Sequence, residues 1–104
     1  MDLVMDVYLL SNAFPADEKF GLTSQLRRCA VSIPSNIAEG WGRNSTKSYL
    51  HFLRIANGSL SELETQLIIA KKLNHITDTQ KADGLIIEVS KMLNSIIRTL
   101  SERG

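Results

Sequence analysis

The sequence predicts an all-α fold, an antiparallel up-down bundle of four helices in one domain spanning residues 1–104. Three observations carry this. Apolar residues recur at intervals of three and four along four separate stretches, the mark of a helix with one buried face. Breaker residues gather between those stretches, so connections are short and successive helices turn back on one another. No stretch alternates apolar and polar residues as a half-buried strand does, and two prolines and six glycines are too few for the turns of a β-sandwich.

The first helix runs from Asp2 to about Asn12. Leu3, Val4, Val7, Tyr8 and Leu10 are apolar, and Met1, Met5 and Leu9 fill most of the remaining circumference. A helix apolar nearly all round is covered on more than one side, here by another subunit or by residues preceding Met1. Ser11 to Gly21 is a breaker region. Phe14-Pro15 opens a short helical turn there, with Asp17 and Glu18 near its positive end.

The second helix, about Leu22 to about Glu39, has the most ordered pattern. Leu22, Leu26, Cys29, Ile33 and Ile37 form an apolar stripe. Gln25, Arg28, Ser32, Asn36 and Glu39 form a polar stripe beside it. Pro34 has no backbone N–H to donate and is expected to kink the helix. Ser32, just upstream, is placed to bond a carbonyl of the preceding turn. Gly40 and Gly42 are expected to stop the helix.

Ser45 or Thr46 is the expected N-cap of the third helix. That helix runs to about Leu73, with Tyr49, Phe52 or Leu53, Ala56, Leu60, Leu63, Leu67 and Ala70 on its core face. Lys71 and Lys72 suit its negative end. Asn74 and His75 make the turn, and Thr77-Asp78-Thr79-Gln80 fits a capping box with Thr77 as cap. The fourth helix carries Ala82, Ile86, Val89, Leu93, Ile96 and Leu100 as a seam, widened by Leu85, Met92 and Ile97. Gly84 sits early in it for no reason legible in the sequence. Helices one and four together carry more apolar surface than one bundle buries. Monomers rarely expose such patches, so closed homo-oligomerisation is expected.

The formal net charge is +1, so no global field draws the chain onto nucleic acid or an acidic membrane. Cys29 is the single cysteine, which excludes an intrachain disulfide and fits a reducing cytoplasm. No apolar run has the length of a membrane span. The first ten residues carry Asp2 and Asp6 and lack the basic start of a signal peptide.

Folding helix three back on helix two brings Gln25 and Arg28 level with Ser59 and Glu62, and Cys29 level with Gly58. Arg28 and Glu62 are expected to make a forked, charge-assisted pair. Gly58 is expected to clear a close helix crossing, despite costing roughly 1 kcal/mol against alanine. Two readings of the polar stripe follow: a recognition groove, or a buried network fixing helix register. The second is preferred, and on it Glu62→Ala destabilises the fold or the assembly.

Trp41, Arg43 and Lys47 gather at one end of the bundle, with Arg54 on the next helix. An aromatic with basic neighbours stacks on a base and contacts phosphate. The alternative is that Trp41 caps the core and the cations are simply solvated. Arg27, Lys71 and Lys72 would extend a basic strip in an oligomer.

Catalytic patterns fail on inspection. Gly42 to Ser48 has the outline of a phosphate loop, but Lys47 stands where the second glycine belongs and no strand precedes it. His51 and His75 lack acidic or cysteine companions at ligand spacing, and no Glu-x-x-His pair suggests a di-iron site. Ser35 and Ser59 have no histidine to activate them, and Cys29 lies on an apolar face. No catalytic residue, cofactor or metal is expected, and an enzyme ranks below a binding or assembly protein.

FPADEKFGLTSQLRRCAVSIPSNIAEGWGR followed by FLRIANGSLSELETQL resembles the four-helix-bundle proteins encoded by intervening sequences in bacterial 23S rRNA genes. The resemblance covers about Val7 to Leu73; helix four agrees only in pattern. It implies a cytoplasmic bundle assembling as a barrel-shaped homopentamer. The fold is also similar to that of accessory proteins of diversity-generating retroelements, which implies nucleic acid and a reverse transcriptase as partners. The positions that carry the resemblance are Gln25, Arg28, Ser32, Asn36, Glu39, Arg43, Gly58, Ser59 and Glu62. The leading expectation is a non-enzymatic RNA- or DNA-associated accessory factor. A protein-binding scaffold that never touches nucleic acid is the alternative.

Overall fold

Four helices form where the apolar spacing places them: α1 (Asp2–Ser11), α2 (Leu22–Trp41), α3 (Thr46–Lys72) and α4 (Gln80–Arg103). A 3-10 turn, Ala16–Glu18, sits between α1 and α2 behind Pro15. The structure is a computed structural model and describes residues 1–103. No strand occurs among them. Each helix touches its neighbours in the cyclic order α1, α2, α3, α4, and the two diagonals do not meet. Cys29 meets Ser59, and Gly40 meets Tyr49 and Phe52, so α2 and α3 run antiparallel. Asn57 meets Asn94, and Arg54 meets Ser101, so α3 and α4 do too.

The core holds most of the predicted apolar set together with Phe14, Ala30 and Ile76, while Leu22, Ile37 and Tyr49 pack against it partly buried. Leu26, Leu53, Leu63, Leu67 and Leu93 are fully buried, and Leu53 rather than Phe52 takes the inward position. Val89, Ile96 and Leu100 pack against this core half-buried. Burying a leucine is worth roughly 1.5–3 kcal/mol, so these five dominate the packing.

The helix ends follow local hydrogen bonding. Ser45 caps α3, its hydroxyl accepting the Ser48 N–H at 3.0 Å. Asn74, at φ 63°, closes α3. The His75 N–H reaches the Ala70 carbonyl and the Asn74 N–H reaches that of Lys71, both at 3.0 Å, which satisfies orphan carbonyls at the end of the helix.

Several expectations need correction. The Thr77 capping box does not form. Buried Thr79 precedes the first turn instead, donating its hydroxyl to Asp83 at 2.9 Å, while Asp78 accepts the Gln80 N–H at 3.0 Å. Ile76 is buried, which holds the chain in until Thr79. Gly40 does not stop α2, which runs through Pro34 and on to Trp41, and Asn44, at φ 57°, takes the left-handed position before α3. Gly40 is there for proximity. A Cβ on it would stand 2.8 Å from the Phe52 Cβ and 3.0 Å from the Tyr49 ring. Gly58, by contrast, faces open space and clears no crossing. Gly84 also has nothing near it.

Candidate functional site

The close approach at Gly40 brings the last turn of α2 against the first turn of α3, and Trp41 is turned outward by it. Trp41 is 74% exposed. Its ring meets the edge of Tyr49 at 5.7 Å, which holds the indole in place. The Arg43 guanidinium donates to Glu39 at 2.7 Å and lies over the Phe52 ring at 5.1 Å. Glu39 is thereby drawn out of the polar stripe into a local ion pair at the helix end. Lys47 is exposed in the first turn of α3. Arg54, one face further on, donates to Ser101 at 3.4 Å, so the end of α4 arrives at the same site. A hollow of about 400 Å³ lies between Trp41, Asn44, Ser45, Tyr49 and Leu100. The exposed indole offers a stacking face at the end of the bundle that also carries Lys47 and the Glu39-paired Arg43. Tyr49, whose spacing puts it on the core face, also touches the indole, a role its sequence position does not show.

The remaining predicted cations lie elsewhere. Lys71 and Lys72 stand at the other end of α3, a 27-residue helix of roughly 40 Å. Arg27 is committed to α1. Its Nε donates to the Ser11 hydroxyl at 2.8 Å, its terminal nitrogen to Asn12 at 2.9 Å, and its guanidinium lies 4.7 Å over the Tyr8 ring. Arg27 is thus a clamp between helices, not a free phosphate contact. Within one copy the basic residues do not form a single strip.

The polar stripe of α2 does face α3, across an open groove of about 390 Å³ lined by Gln25, Arg28, Cys29, Ser32, Ser59 and Glu62. The Arg28–Glu62 pair does not form. Arg28 reaches toward Ser24 at 3.5 Å, and Glu62 accepts the Gln66 amide at 3.4 Å. Both are exposed, so water solvates each charge and neither needs the other. Ser32 donates to the Cys29 carbonyl, and Asn36 to the Ser32 carbonyl, each at 2.7 Å. The stripe satisfies itself along its own helix instead of building a buried network. The Cys29 thiol donates to the Ser59 carbonyl at 2.9 Å. Burial pushes its pKa up to about 11, and the nearby Glu62 charge adds to the rise.

A second tie went unread in the sequence. His75, in the α3–α4 connection, bonds Glu18 at 2.8 Å and packs on Phe14 at 5.4 Å. Glu18 also accepts the Leu22 N–H at 3.4 Å, so one carboxylate joins the start of α2 to the far loop. The His75 bond, and then the Leu22 N–H, hold the Glu18 carboxyl below its ordinary range against the opposing effect of burial. An acidic residue four before a helix start was the available signal for the Leu22 contact; nothing local pointed to His75. Among the described residues no three histidine, cysteine, aspartate or glutamate side chains cluster as metal ligands would, and no helix is long and apolar enough to cross a membrane.

The family model of the 23S rRNA-intervening sequence protein matches residues 1–95. No curated protein matches the chain.

Proposed function

The chain belongs to the 23S rRNA-intervening sequence protein family, and from that premise we propose that it is a non-enzymatic, homo-oligomeric accessory protein that associates with nucleic acid. One observation carries the nucleic-acid part: Trp41 is held outward by Tyr49 at the end of the bundle that also carries Arg43, Lys47 and Arg54. Single-stranded or looped RNA suits this end best, because its unstacked bases are open to an aromatic face. Two of the groups capable of chemistry are engaged. The Cys29 thiol is buried, bonded and protonated, and His75 is bonded to Glu18. The family resemblance supports a pentamer in the cytoplasm, and the similarity read from the sequence to retroelement accessory proteins suggests a reverse transcriptase as one partner.

The test uses the single tryptophan of the chain. Titrating single-stranded or looped RNA into the protein quenches Trp41 fluorescence, and affinity falls as salt rises. Lys47→Glu weakens binding without changing the melt. An unchanged emission with salt-insensitive or absent binding refutes the nucleic-acid reading. The near-neutral charge and the Arg43–Glu39 pair favour the alternative, a scaffold for other proteins. A partner retained through nuclease and high salt would establish that alternative.

A further inference from the structure

The groove between α2 and α3 holds two opposite charges that no residue of the chain neutralises. Arg28 stands on its α2 wall and Glu62 on its α3 wall. Cys29 meets Ser59 across the groove. Arg28 lies one residue and Glu62 three residues from that contact, both toward the same end, so the two differ in height by roughly 3 Å at the helical rise. Among the described residues no acid pairs with Arg28 and no base with Glu62. Arg28 makes one long bond, to Ser24 at 3.5 Å. Next to Glu62, one turn along α3, Gln66 is only 7% exposed. Its amide nitrogen donates to Glu62 at 3.4 Å, and its amide oxygen has no partner among the described residues. A buried acceptor left without a donor is costly. The floor, by contrast, is closed: the Cys29 thiol donates to the Ser59 carbonyl, and the Ser32 hydroxyl to the Cys29 carbonyl. The volume, about 390 Å³, lies at the small end of ligand sites.

We infer that this groove binds a free α-amino acid with a polar side chain, its carboxylate on Arg28 and its ammonium on Glu62. A guanidinium takes a carboxylate through two parallel hydrogen bonds. An ammonium brings three donors. The Glu62 carboxylate accepts from it, and the Gln66 oxygen accepts as well once its amide turns over. The opposed charges decide the ligand class. A phosphate chain would meet Glu62, and a polyamine would meet Arg28, each with like charge. A peptide terminus carries only one of the two charges, whereas an amino acid carries both on one carbon. Gln25 lies toward one end of the groove, and Ser32 and Ser59 toward the other, so the ligand side chain meets an amide or hydroxyls in either direction. Neither charge is spent on the fold, so both are free for a ligand.

The experiment titrates the full chain with L-glutamine, L-asparagine and L-serine in turn. Calorimetry reads the binding, and NMR of the Gln25 and Gln66 side-chain amides and the Arg28 Nε–H locates it. Saturable shifts at these groups are expected with at least one of the three. The N-acetyl and carboxamide analogues keep the side chain but lose one charge, so each should bind about tenfold more weakly or worse. Arg28→Gln and Glu62→Gln change exposed residues; each should leave the thermal melt in place and weaken binding by a similar factor. In Arg28→Gln the carboxamide should bind as well as its parent amino acid, and in Glu62→Gln the N-acetyl form should, because the lost charge then has no partner. No saturable shift with any of the three overturns the inference. So do single-charge analogues that bind wild type as well as the parents, or variants that bind as wild type does.

Discussion

Gly40→Ala adds one methyl group where α2 and α3 come closest. The new carbon would stand 2.8 Å from the Phe52 Cβ, 3.0 Å from the Tyr49 ring and 3.3 Å from the Tyr49 carbonyl. Carbon atoms rest at about 3.5–4.0 Å, so the gap must widen by roughly an ångström. The Phe52 Cβ is fixed to the α3 backbone and cannot swing aside, so the whole helix end has to move. Overpacking of this kind costs about 1–3 kcal/mol. Alanine returns at most about 1 kcal/mol in helix propensity, and less in a final turn. The expected net loss is about 1–2 kcal/mol, a fall in Tm of roughly 5–10 °C for a domain of this size. Gly58→Ala is the control. It makes the same chemical change in the middle of α3 with nothing within 4 Å, so it should raise stability by about 0.5–1 kcal/mol. Both variants are melted thermally and in urea at one fixed protein concentration, because any self-association would make Tm depend on concentration. Opposite signs are the outcome expected. A Gly40→Ala protein that melts at or above wild type would refute the close-approach account of Gly40.

Three more outcomes follow from the side-chain ties. Arg27→Ala removes two hydrogen bonds and a ring contact holding α1 to α2, at a cost of about 2 kcal/mol; hydrogen exchange should quicken in α1 first, and uniform quickening over all helices would contradict the clamp. Glu18 is a carboxylate with a depressed folded pKa, so its contribution is full above the ordinary carboxylate range and is lost as pH falls through the folded value. His75→Gln removes the main cause of that depression, so urea midpoints of wild type and variant should converge on acidification below pH 4.5; parallel curves would show that the tie does not contribute. Cys29, buried and pushed up to about 11, should resist alkylation in the native protein and react on unfolding, whereas modification at the rate of a free thiol would place it on an open surface.

What the sequence made legible was what lies along one helix. The Leu22–Ile37 stripe, the α3 seam and the α4 seam all pack inward, because three-four spacing is a property of a single element. The Cys29–Ser59 contact came within one residue of its expected level because a short turn fixes antiparallel register. Choices among equals were not legible. Gly40, Gly58 and Gly84 look alike in the chain, and only a neighbouring helix decides which of them is there for room. Thr77 and Thr79 are both good caps, and buried Ile76 decides between them. Arg28 and Glu62 face one groove as expected, yet nothing in the sequence shows that both heads end in water, where pairing adds little. At the candidate site, Trp41 and its cations were visible as a cluster in the sequence. Whether the indole lay over the core or outside it depended on Tyr49.

Helix α1 shows why side-chain ties and assembly belong to one argument. An ordinary surface helix turns its apolar side inward and its charges outward. Here Asp6 and Ser11 are buried along with Leu3 and Val7, while Met1, Met5 and Leu9 are out. The Asp6 Oδ2 has no hydrogen-bond partner among the described residues. Leu3 and Val7 enter the core and Val4 and Leu10 pack against it, a small apolar anchor for a ten-residue helix that is marginal without packing. Arg27 supplies a further attachment at one end, through polar bonds to Ser11 and Asn12 and the Tyr8 ring. That leaves the outer apolar side unexplained by anything within one copy. A neighbouring copy resting against α1 would cover those methionines and leucine and bind α1 more firmly to its own bundle. Folding of the first helix and any self-association through its outer side would then be linked, and loosening the Arg27 clamp should weaken both together.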